Sequence, residues 1–163
     1  MHQSPRDKLI AKIAAQTDIE ALKPRSVTIE DFRRFVEEQA NNPELDVVVS
    51  LEDFFEGNQD DGSIGCNLIP YPGLERFYEV LKAIRSRDEV QDVLIVINSI
   101  DDEESWPFSE SILILAHASE LQVLEWMKDL EPTEIWQGWG EAGKPPAAPD
   151  PTDGMVVYGL WWD

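Results

Sequence analysis

Two aliphatic runs set the frame for this chain. Val93 to Ile97 reads VLIVI and Ile112 to Ala116 reads ILILA, and an acidic segment containing Asp101, Asp102, Glu103, Glu104, Trp106 and Pro107 separates them. Each run is too short for a stable helix and is rich in branched side chains, so the spacing predicts a pair of well-buried strands at the centre of the core. The connection between them is longer than an ordinary hairpin loop, which leaves direct adjacency open.

The rest of the chain supplies elements to pack on that pair. Ser4-Pro5-Arg6-Asp7 presents a cap, a proline suited to the first helical turn and an acid, ahead of Leu9, Ile10 and Ile13. Residues 1–26 are therefore expected to form a helical arm, with the capping pattern repeated from Thr17 to Glu20 and Pro24 ending it. A second helix is expected from Thr28, carrying Ile29, Phe32, Phe35 and Val36 and stopped by Asn41-Asn42-Pro43. Asp46 to Phe55 alternates as a strand does, with Val47, Val49 and Leu51 on one side. The polar stretch EGNQDDGSIG predicts a loop, and Ile64 to Ile69 a returning strand.

From Leu74 the period becomes helical, with Leu74, Phe77, Tyr78, Leu81 and Ile84 on one stripe. Ser119-Glu120-Leu121-Gln122 is a capping box for a last helix bearing Leu121, Leu124, Met127 and Leu130. Thr133 to Trp139 reads as a further turn. The four prolines between Lys144 and Thr152 forbid helix and interior strand, so this segment should cross the surface in extended form before a final strand from Met155 to Trp162. The fold class is α+β: an antiparallel or mixed sheet of four or five strands with helices mainly on one face. Residues 27–163 form the body, and 1–163 a single domain.

Charge narrows the function classes. The formal net charge is -20, and after Arg34 the chain holds 28 of its 33 acids but only six of its 13 bases. Such a surface repels nucleic acid and anionic membranes, whereas a basic protein partner is favoured. Cys66 is the sole cysteine, which excludes an internal disulfide and suits a reducing compartment. No secretory signal and no membrane-length apolar run is found, so a cytoplasmic location is expected.

Glu56, Asn58 and Asp60 alternate like calcium-loop ligands, but Asp61 stands where the loop requires glycine and Asn67 where it requires a bidentate glutamate. No cofactor motif is present: phosphate-cradling glycines, a dinucleotide fingerprint and a nucleophile elbow are all missing. A Cys66 and His117 dyad lacks a motif around either member. The leading expectation is a small non-catalytic binding or inhibitor module, comparable in composition to immunity proteins. It would engage a basic partner through Asp101, Asp102, Glu103, Glu104, Glu56, Asp60 and Asp61, with Trp106 as aromatic anchor. The second expectation is a hydrolase or divalent-metal enzyme in which Glu52, Asp53, Asp101 to Glu104 and His117 converge. A third is a homodimer that hides the terminal strand and its tryptophans; the oligomeric state is thus monomer or homodimer.

Overall fold

The computed structural model describes residues 4–17, 47–99, 105–140 and 143–163. The helix expected from Thr28, the cap at Asp18 to Glu20 and the carboxylates Asp101 to Glu104 lie outside the described residues.

The two aliphatic runs do pair. Strands β2 (Val90–Ile97) and β3 (Ser111–Ala116) are adjacent and antiparallel, with Leu94 opposite Leu113 and Ile95 opposite Ile112. Around them the sheet has five strands, all pairs antiparallel, in the order β1-β2-β3-β5-β4, where β1 is Val47–Val49, β4 is Glu134–Gln137 and β5 is Val156–Trp161. The α+β expectation thus holds, and the sheet is antiparallel throughout.

All four α-helices among the described residues contribute to one apolar cluster on a single sheet face. Helix α1 (Pro5–Thr17) brings Leu9 and Ile13, α2 (Leu51–Phe55) brings Leu51, Phe54 and Phe55, α3 (Leu74–Arg85) brings Phe77, Leu81 and Ile84, and α4 (Glu120–Met127) brings Val123 and Met127. They pack with Ile95, Ile112, Ile114, Tyr158, Leu160 and Trp162. The other face is also closed to solvent. Val48, Leu94, Val96, Leu113, Leu115 and Val157 form a second buried cluster with Ala148, and Trp139 packs against it. Burial on both faces is why β2 and β3 are continuous aliphatic runs rather than alternating ones.

Capping signals position several elements. Ser4 Oγ accepts the Asp7 N–H at 3.1 Å, and Pro5 begins α1 as expected. Ser119 and Gln122 make the reciprocal capping box. A residue inserted between Val90 and Asp92 bulges β2 and frees the Gln91 side chain to hold the proline-rich segment, donating to Asp150 O and accepting from the Thr152 N–H, both at 2.9 Å.

Four sequence expectations are corrected. The strand expected as far as Phe55 stops at Val49, because Ser50 Oγ accepts the Asp53 N–H and caps α2. Ile64 to Ile69 is not a strand; it makes one bridge, Ile64 with Ser109, and turns at Gly65, where φ is +64° and a Cβ would lie 2.4 Å from Phe77 Cζ. Of the stripe expected on α4, Met127 and Leu130 are buried, but Leu121 is 79 % exposed and Val123, expected beside the stripe, is buried instead. Thr133 to Trp139 is not a turn, since Glu134–Gln137 pairs with β5 as an edge strand. The terminal strand therefore offers no free edge to a second copy: β5 lies between β3 and β4, and Trp162 is in the core with its Nε1 donating to Leu130 O at 2.7 Å.

Candidate functional site

The sheet has two ends, and they carry different chemistry. At one end β2 leaves through Ser99, which bridges Phe108 on the way into β3. The 56–62 loop meets this end. Its Asp60 is tied down three ways: the N–H donates to Asn58 Oδ1 at 2.9 Å, Oδ1 accepts from Gly62 N–H at 3.0 Å, and Oδ2 accepts from Trp106 N–H at 3.2 Å. Asn58 Nδ2 in turn donates to Ser63 Oγ at 2.9 Å. These are the turn hydrogen bonds that Asn and Asp favour, and they occupy the groups a calcium ion would need.

The N-terminus of α1 closes the third side, with Arg6 Nε donating to Ser105 O at 2.7 Å. Between these segments lies a cleft of about 700 Å³ lined by Ser4, Arg6, Gln59, Asp61 and Trp106 among others. Glu56 and Asp61 are exposed and form no ion pair among the described residues. The structure thus brings Glu56, Asp60, Asp61 and Trp106 into one region. Trp106 does not serve as an exposed anchor, however: its ring is 7 % exposed and belongs to the helix-side core. The exposed charged groups of the 56–62 loop itself, Glu56 and Asp61, are both carboxylates.

Glu52 and Asp53 are committed elsewhere. Arg85 forks onto Glu52, with Nη1 to Oε1 at 2.7 Å and Nη2 to Oε2 at 2.5 Å, and Lys12 Nζ lies 2.7 Å from Asp53 Oδ1. The Arg85 hydrogen bonds hold the Glu52 pKa below its ordinary value. Asp92, beside this pair, is pushed up by burial against the pull of its own Val93 N–H and of Arg85. Tyr71 donates to Ile64 O at 3.0 Å, and its phenol is raised by burial and then by Asp61.

His117 lies at the opposite end of the sheet. It follows Ala116, which pairs with Val90 at the start of β2, and its own N–H donates to Glu89 O. Its Nδ1 contacts Gly154 O at 3.0 Å. The length of β3, roughly 20 Å at 3.3 Å per residue, separates it from the end where Asp60, Ser105 and Trp106 sit. Cys66, on the loop after the Ile64 to Ser109 bridge, is exposed and contacts Asn67. The dyad is not assembled, and Glu52 and Asp53 are paired with Arg85 and Lys12, while Asp101 to Glu104, the remaining members of the carboxylate and histidine cluster, lie outside the described residues. Among the described residues no group of three or more His, Cys, Asp and Glu is placed to hold a metal ion, and no helix is long and apolar enough to cross a membrane.

Sequence reading missed the side chains that join these parts, Arg6, Gln16 and Gln91. They lie far in sequence from the backbones they bind, so no local pattern marks them.

A family model described as the uncharacterized protein YfbO family matches residues 4–160. The chain belongs to the YfbO family. The match takes in α1, the sheet as far as Leu160 in β5, and the cleft between α1 and the acidic loop. Within the family, the uncharacterized protein YfbO of Escherichia coli (strain K12) is 42 % identical over 125 residues, covering 76 % of this chain and 88 % of the relative. No solved structure matches.

Proposed function

We propose that this protein is a non-catalytic binding module of inhibitor type, which engages a basic protein partner through the acidic end of the sheet and binds neither nucleic acid nor membrane. The observation that carries the reading is the hydrogen bond from Trp106 N–H to Asp60 Oδ2. It fastens the 56–62 loop to the segment that follows Asp101 to Glu104 in the chain. Glu56 and Asp61 stand exposed beside it, neither of them in an ion pair with another described residue. A carboxylate surface on a chain of net charge -20 accelerates encounter with a cationic partner and selects against anionic ones.

The immobilised protein should retain a basic protein from lysate at low ionic strength and release it as salt rises. Glu56→Lys with Asp61→Lys should weaken that complex by about tenfold or more. Glu120→Lys with Asp153→Lys, at the His117 end, makes the same change in net charge and should leave affinity within about twofold. Equal losses from both pairs, or capture insensitive to salt, refute the assignment.

A further inference from the structure

The two edges of the sheet are treated differently. In β1 the middle residue, Val48, turns its N–H and C=O outward, and both are taken by the Gln16 side chain: Oε1 accepts the N–H at 3.0 Å and Nε2 donates to the C=O. A single amide closes that edge. The opposite edge is open. In β5, Trp162 N–H donates to Glu110 O of the β3 side, which by alternation turns Val157, Gly159 and Trp161 toward β4. Gly138 N–H accordingly donates to Val157 O at 2.8 Å. Ile135 and Gln137 therefore direct their N–H and C=O groups away from the sheet, and none of these four groups has a hydrogen-bond partner among the described residues.

Edge strands are ordinarily guarded by lysine, proline, a bulge or a covering segment. The β4 sequence, EIWQ, contains neither lysine nor proline, and its pairing with β5 is regular. We propose that the outer edge of β4 is a docking site for an extended, lysine- or arginine-bearing segment of a partner protein, which adds as a sixth strand.

Charge chooses the occupant. Glu131, Glu134 and Asp163 are exposed around this edge, Asp163 being held there by its N–H to Thr133 Oγ1 at 3.0 Å. The nearby Lys128 is engaged by Glu125 at 2.9 Å. A second copy would bring the same acids and another net charge of -20 to the same line. An incoming strand with basic residues on the Glu134 side meets that carboxylate and the half-buried Trp136 ring, whose π face also attracts cations. Its alternate residues, lying over Ile135, are apolar. The surface is distinct from the acidic loops at Asp60 and binds independently of them.

The test uses the full chain and a capped hexapeptide of alternating lysine and valine, followed by amide exchange and nitrogen-15 spectra. Protection of the Ile135 and Gln137 amides should rise by about tenfold at saturation, with the Val48 amide unchanged. Gln137→Pro, which removes an outward donor and leaves the β5 ladder intact, and Glu134→Lys should each weaken the peptide about tenfold. A glutamate and valine peptide should not bind. Peptide binding without protection at Ile135 and Gln137 overturns the proposal, as does unchanged affinity in Glu134→Lys. Protection of these amides by concentration-dependent self-association, without peptide, assigns the edge to a second copy and also overturns it.

Discussion

Gly159 is the position at which a single methyl group reports most directly on the packing of the outer strand. The Trp136 ring lies flat against the β5 backbone there, so that a Cβ on residue 159 would stand 2.0 Å from Cε2, 2.1 Å from Cζ2 and 2.6 Å from Nε1. In Gly159→Ala the rigid indole must lift by about 1.4 Å, enough to forfeit well over half of its dispersion contact with the strand. Overpacking of this kind costs about 1–3 kcal/mol. The buried indole N–H has no partner where it lies, and reaches water once the ring lifts, so the lower half of that range applies. Alanine in place of glycine in a strand returns roughly 0.5–1 kcal/mol. The net loss is about 1 kcal/mol, or a fall in Tm of about 2–4 °C for a chain of this size.

Sign is the sharper readout. With Trp136→Ala already present there is nothing to strike, and Gly159→Ala should then stabilise by about 0.5–1 kcal/mol. Urea unfolding of the four proteins in the cycle, followed by far-UV circular dichroism, gives the coupling, expected at about 1–2 kcal/mol. If Gly159→Ala has the same effect in both backgrounds, the Trp136 and Gly159 stacking is not what makes glycine necessary at this position.

Two other outcomes follow from the same geometry. Gln16→Leu leaves the N–H and C=O of Val48 without the amide that closes them; stability should fall by about 1–3 kcal/mol, and exchange of the Val48 amide should accelerate in the native state. Glu52, whose carboxyl is held low by Arg85, adds stability that is complete above its unfolded value near 4.5 and is lost as the pH falls through the folded value. Glu52→Gln should therefore flatten the acid limb of a plot of Tm against pH, by under about 1 kcal/mol because the pair is partly open to solvent. Asp92, raised by burial, works in the opposite sense: its contribution is greatest below 3.8 and is lost as the pH rises through its raised value, so Asp92→Asn should lift stability near neutral pH.

Much of this fold was written in local pattern. The runs 93–97 and 112–116 have to be buried strands because no other short element hides so many branched side chains, and the stripe from Leu74 to Ile84 has a helical period. Where expectation and structure diverge, a short-range polar signal outweighed hydrophobicity, or a neighbour chose between equivalent faces. Val47 to Phe55 keeps its alternation in sequence, yet Ser50 and Asp53 stop the strand with one hydrogen bond. In α4 either Leu121 or Val123 fits the helical period ahead of Met127, and the one that meets the core, Val123, is buried. The acidic end was visible as charge, but its assembly was not: the Asp60 to Trp106 contact spans 46 residues. A tryptophan beside four acids suggests an anchor only until the core is seen to claim its ring.

The strand order has a consequence for the chain as it is made. Strand β5 is the last in sequence but lies inside the sheet, between β3 and β4. While a ribosome is still adding residues 156–161, β3 shows an unpaired aliphatic edge and β4 has no neighbour at all. Helix docking on β1 to β3 can begin early, since domains fold as their parts emerge. Completion of the sheet waits for Trp161, and Trp162 then inserts its indole under Leu130. Until that moment the nascent protein presents unpaired strand edges to its surroundings, the kind of surface on which incompletely folded chains aggregate.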